Sequence, residues 1–170
     1  LTITAGSGAV TLTGAVTIAD NDVTIASSQN SVVTAGISGS TGALDITDSG
    51  STDVNGALAL SGAGTITLDA ASLGADATTV GGAIAFGGAV TADKGSATAV
   101  GTGGGAGDVT FGSTLALTSG GADDLTITAG SGAVTLTGAV TIADNDLTIA
   151  SSQNSVVTAG ISGSTGALDI

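Results

Sequence analysis

Residues 1–26 read LTITAGSGAVTLTGAVTIADNDVTIA, and within them Leu1/Ile3, Val10/Leu12, Val16/Ile18 and Val23/Ile25 are each two residues apart with a threonine between. A period of two sends the aliphatic side chains to one face of an extended chain and the hydroxyls to the other, the pattern of a half-buried strand. Thr, Val and Ile branch at the β-carbon and favour that extended backbone, whereas the intervening AGSGA is turn chemistry. Each strand is only four or five residues long before a corner interrupts it.

The same letters return at an offset of 124. Residues 125–170 repeat residues 1–46 with a single change, Val23 to Leu147. Such self-similarity marks a tandem array. The chain therefore reads as one unit, 1–124, and the start of a near-identical copy, 125–170, in one continuous structure belonging to a longer parent. Within the unit, apolar-x-apolar-x segments start at Leu1, Val23, Leu44, Ile66, Ile84, Val109 and Leu125, at intervals of 22, 21, 22, 18, 25 and 16 residues. That is about six turns of roughly 21 residues, within the range of solenoids. Further strands of the same kind lie at 10–13, 16–19, 58–61 and 115–118.

Two or three short strands per turn, joined by glycine-rich corners, predict an all-β protein folded as a parallel β-solenoid, or β-helix, with about six rungs per 124-residue repeat. Rungs roughly 4.8 Å apart would advance the chain by roughly 29 Å per unit. The expected core is Leu1, Ile3, Val10, Leu12, Val16, Ile18, Val23, Ile25, Leu44, Ile46, Ile66, Leu68, Ile84, Phe86, Val109 and Phe111. No stretch has the apolar spacing of a helix. The competing architecture is a string of tandem β-sandwich domains, but Phe86 and Phe111 are the only aromatic residues, too few for a thick sandwich core.

Composition narrows the function. The 170 residues include 30 glycines, 14 aspartates, one lysine and no Arg, His, Pro, Cys, Met, Trp or Tyr. There is no imidazole base, thiolate or disulfide, and Lys94 is the only cationic side chain, so no enzymatic activity is expected. A net charge of −13 repels nucleic acid and anionic membrane surfaces, both of which select clustered Lys and Arg. Charge-free stretches such as 1–19 and 23–44 are broken by Thr, Ser or Gly every few residues and do not read as membrane-spanning helices. The aromatic girdles of an outer-membrane barrel are missing. Yet 42% of the residues are hydrophobic, too many for a disordered chain.

The string DLTITAGSGAVTLTGAV (124–140), with partial echoes DVTFGSTLALTSG (108–120) and ALDITDSG (43–50), resembles the strand repeats of very large secreted bacterial surface proteins, of which the filamentous-haemagglutinin type of adhesin is the best known. The resemblance spans essentially the whole chain and lies in strand-and-turn pattern. It implies a long right-handed β-helix on the cell surface or outside the cell. The near-identity of the two copies favours a uniform fibre over a surface with one specialised binding patch.

Several residues are weighed as sites. Asp20-Asn21-Asp22 and its copy Asp144-Asn145-Asp146 offer the oxygen ligands that calcium prefers, although Asp and Asn serve equally as polar corners between strands. Gly103-Gly104-Gly105-Ala106-Gly107-Asp108 resembles the calcium-binding G-G-x-G-x-D repeat, with Ala106 where its third glycine belongs. Asp20/Asp22 and Asp123/Asp124 are the close carboxylate pairs that glycoside hydrolysis would need, without sugar-stacking aromatics. Outward pairs Thr2/Thr4, Thr11/Thr13 and Thr65/Thr67 suggest an ice-binding face, but the corresponding steps Thr24/Ala26 and Asp45/Thr47 interrupt it. Lys94 is expected to pair with Asp93 on the surface. The resulting expectation names no catalytic, cofactor-binding or metal-ligating residue and no cofactor. It is a structural component of an extracellular filament, sheath or surface coat that self-associates, with divalent cations between acidic rods. The alternative is an adhesin stalk or a glycan- or receptor-binding surface fibre.

Overall fold

The fold follows from a computed structural model of the chain, which describes residues 1–118 and 120–170. The first turn holds β1 (Thr2–Gly6), β2 (Thr11–Leu12) and β3 (Val16–Ala19), and the second β4 (Val23–Ser27), β5 (Ser31–Val33) and β6 (Ile37–Gly39). The third comprises β7 (Leu44–Asp48), β8 (Thr52–Val54) and β9 (Leu58–Leu60), the fourth β10 (Ile66–Leu68), β11 (Ala71–Leu73) and β12 (Ala77–Thr78). Next come β13 (Ile84–Phe86), β14 (Val90–Ala92) and β15 (Thr98–Gly101), then β16 (Val109–Phe111), β17 (Leu115–Leu117) and β18 (Leu125–Gly130). The last two turns are β19 (Val134–Leu136), β20 (Val140–Ala143) and β21 (Leu147–Ser151), then β22 (Val156–Val157), β23 (Ile161–Gly163) and β24 (Leu168–Asp169).

Every third strand pairs in parallel with the strand one turn away, giving three sheets of eight strands each. Sheet A begins with β1, sheet B with β2 and sheet C with β3. The protein is thus an all-β parallel solenoid of eight three-sided turns, with no helix among the described residues. The alternation read from the sequence becomes vertical columns of like side chains. On sheet A, Ile3, Ile25, Ile46, Leu68, Phe86, Phe111 and Leu136 occupy one register position in successive turns. Phe86 and Phe111 stack with ring centroids 4.8 Å apart and 21° between planes, so the two large rings pack on each other within that inward column.

The expected core holds except in the first turn. Leu1 is 71% exposed and Ile3, Leu12 and Val16 are half-buried, whereas their copies Leu125, Ile127, Leu136 and Val140 are at most 1% exposed. Identical strands differ because only the second copy has a turn packed on each side; burial here is supplied by neighbouring rungs. The count of turns per repeat also needs correction. The starts from Val23 to Val109 lie in one column of sheet A, but the next member of that column is Val134, 25 residues on. Leu125 instead opens β18 in sheet C, over Thr98. From β1 to β18 is seventeen strands, so a unit spans five and two-thirds turns, not six.

Candidate functional site: the acidic corners

Most chemistry-bearing side chains sit at corners, and the reason is backbone arithmetic. At a corner the chain leaves one sheet before entering the next, so its amides lose their ladder partners and must find others. An aspartate placed immediately before a strand solves this. Asp22 Oδ1 accepts the Ala43 N–H at 2.9 Å, Asp108 Oδ1 that of Ala133 at 2.8 Å, and Asp124 Oδ1 that of Asp146 at 2.8 Å. Asp146 Oδ1 accepts from the Ala167 amide at 2.7 Å and Asp76 Oδ1 from the Ala99 amide at 3.0 Å. In each case the donor lies one turn further along the chain. Asn30 Oδ1 does the same for Ser51 at 3.1 Å.

The two Asp-Asn-Asp corners are therefore part of the wall. Besides the Asp22 bond, Asp20 Oδ1 accepts from Thr41 Oγ1 at 2.9 Å, and Asp144 Oδ1 from the Gly120 amide at 3.1 Å. Asn145 is fully buried; its Oδ1 accepts the Asp123 N–H at 2.9 Å and its amide donates to the Thr118 carbonyl. Asn21, the same residue in the first turn, is exposed. Among the described residues, no three Asp side chains gather where a metal ion could be held.

Asp123 and Asp124 serve different neighbours. Asp123 is buried and accepts from the Gly95 amide at 2.5 Å and from the Thr118 hydroxyl, whereas Asp124 holds the corner above. A second buried carboxylate, Asp48, accepts from Ser31 Oγ at 3.1 Å and Thr52 Oγ1 at 3.0 Å. Ser31 and Thr52 point inward in a column otherwise continued by Ala71 and Val90. Sequence alternation missed this polar insertion; a small hydroxyl in two successive inward positions was its only signal.

Glycine carries the other half of the corner. Gly42, Gly64, Gly82, Gly107 and Gly132 each stand two residues before the first inward side chain of a sheet A strand. A Cβ on Gly64 would lie 2.4 Å from the Gly42 carbonyl oxygen, on Gly82 1.9 Å from that of Gly64, on Gly107 2.3 Å from that of Gly82, and on Gly132 2.1 Å from that of Gly107. The run Gly103–Asp108 thus contains a rung of a glycine ladder, required by close backbone approach, with Asp108 as the amide cap beside it.

Lys94 pairs with Asp76, not with Asp93. The Nζ–Oδ1 distance is 2.9 Å, and Nζ also donates to the Ala97 carbonyl at 3.0 Å; Asp93 instead accepts from Ser72 Oγ at 2.5 Å. Burial pushes the Asp76 carboxyl upward, but the Lys94 hydrogen bond, the Ala99 amide and the Lys94 charge together outweigh it and hold the group below the ordinary aspartate value. The outward threonines do not form an unbroken grid: Thr2, Thr24, Asp45, Thr67, Ala85, Thr110 and Thr135 follow one another up sheet A. No protein-family model matches the chain, and neither does a curated protein or a solved structure.

Proposed function

We infer that the chain is a segment of a structural, non-enzymatic filament, sheath or surface coat, located outside the cell or on its surface. The observation that carries this reading is the use made of its polar groups. Carboxylates and amides that would furnish a ligand site are spent on the turn above or below, as in the Asp22, Asp108 and Asp146 caps. A chain whose polar chemistry is directed at its own next turn is built to extend. Each turn supplies nearest-neighbour contacts to the following one, so stability accumulates along the axis.

Self-association follows from the same design. The net charge of −13 makes neighbouring rods repel within a Debye length of roughly 8–10 Å, and divalent cations between rods would relieve that repulsion. Electron microscopy of the purified chain with calcium or magnesium should show laterally associated filaments that a chelator disperses while the circular-dichroism spectrum stays unchanged. Discrete particles under both conditions would refute the reading. The resemblance to haemagglutinin-type repeats supports one other role, an adhesin stalk or glycan-binding fibre. Binding of the isolated chain to a glycan array, lost on substituting Thr67 and Thr110, would favour that role over self-association.

A further inference from the structure

Lys94 is the only lysine in the chain, and there is no arginine. Hydrolysis by a trypsin-type protease, whose specificity pocket carries a carboxylate, can therefore fall at one place alone, the bond between Lys94 and Gly95. That bond sits in an outgrown corner. Five residues, 93–97, separate β14 from β15, where three, 74–76, separate β11 from β12 one turn earlier. Asp93, Gly95, Ser96 and Ala97 are exposed, and small polar residues at an exposed loop tip are the usual place for a nick. Three features of this corner oppose one. The Lys94 ammonium is turned back onto the rod, donating to Asp76 Oδ1 at 2.9 Å and to the Ala97 carbonyl at 3.0 Å, so the charge a protease would bind is already engaged. The Gly95 N–H, which belongs to the scissile bond, donates to Asp123 Oδ1 at 2.5 Å. Gly95 itself has φ 70°, a left-handed conformation, whereas a peptide recognised through its backbone is taken up as an extended strand.

The two carboxylates come from the turns on either side, and each is anchored outside the corner. Asp76 also accepts the Ala99 amide at 3.0 Å. Asp123 is 5% exposed and is fixed by the Thr118 hydroxyl and by the bond from its own amide to Asn145 Oδ1. We infer that Lys94–Gly95 is a latent proteolytic site for lysine-directed proteases, closed by Asp76 and Asp123 and opened when either lets go. Cleavage adds one water across the bond and leaves a carboxylate on Lys94 and an amine on Gly95. The rod stays in one piece, since β12 pairs with β15, β13 with β16 and β14 with β17 across the cut. The inference stands independently of the filament reading.

Trypsin digestion of the 170-residue chain and of its D76A and D123A variants tests this. Proteolysis through a brief local opening follows the population of the open form. D76A takes away the acceptor of Lys94 and Ala99, and D123A that of Gly95 and Thr118. Cleavage after Lys94 should therefore rise at least about fivefold in either variant. Elastase, whose pocket takes small side chains, supplies the control for global unfolding, because alanine and valine recur along the whole chain. Its rate on the variants should stay within about twofold of its rate on the parent. An equal trypsin rate in the parent and both variants overturns the proposal. A rise in trypsin and elastase digestion together overturns it as well, since the bond would then be protected by the stability of the whole rod and not by its own corner.

Discussion

At position 82 one hydrogen atom separates a folded corner from a collision. A Cβ on Gly82 would sit 1.9 Å from the Gly64 carbonyl oxygen, whereas a Cβ on Gly104 would meet nothing within 4 Å. Gly82→Ala should therefore cost about 1–3 kcal/mol or more through forced backbone movement, and Gly104→Ala should stay within about 0.5 kcal/mol of the parent, both read from denaturant midpoints. Lys94 and Asp76 call for a smaller effect, since their side chains are 27% and 42% exposed. Lys94→Ala should cost less than about 1 kcal/mol. The sign of the pH effect follows from the lowered Asp76 value: the pair's contribution is present above the ordinary carboxylate range and is lost as pH falls through the folded value. NMR titration should place the Asp76 midpoint below that of an unfolded aspartate and raise it in Lys94→Ala; no movement would remove the ion pair from the account. None of this was legible in the sequence beyond the presence of one lysine, because its partner lies 18 residues away across the turn and the adjacent Asp93 is a decoy.

The strands themselves were readable. Alternation located Val23/Ile25, Leu44/Ile46 and Ile66/Leu68 on the inner face, and all six are buried. What alternation cannot encode is phase around the rod. A strand carries no mark of which of three sheets it joins, so LTIT at 1 and LTIT at 125 look equivalent although one opens sheet A and the other lies in sheet C. A glycine two places before the inward residue marks the corner but not the sheet, since it precedes Val109 and Val134 in sheet A, Val90 and Val140 in sheet B, and Val16 and Leu58 in sheet C. It follows the close approach of successive corners, which a strand template ignores. The corner aspartates are the complementary device. Asp108→Ala should leave the Ala133 N–H without its acceptor and cost about 1 kcal/mol, visible as faster hydrogen exchange at Ala133. Unchanged protection there would mean that the carboxylate is not the cap.

Stacked into eight turns, these units make a molecule whose stability depends on both neighbours of every rung. The half-buried first turn against its fully buried copy shows the size of that dependence, since the residues are the same. Screening should also matter: a chain with net charge −13 repels itself, so added monovalent salt should raise the unfolding midpoint, and a midpoint that falls with salt would contradict this. The parallel stack brings together residues that no sandwich domain of another register would pair. Phe86 and Phe111 are the only aromatic side chains in the chain, so the aromatic proton spectrum contains nothing else. A nuclear Overhauser experiment should give direct ring-to-ring cross-peaks between them, as rings with centroids 4.8 Å apart require. Two phenylalanines that each touch only methyl groups, with no cross-peak between the rings, would contradict the stacked solenoid at its centre.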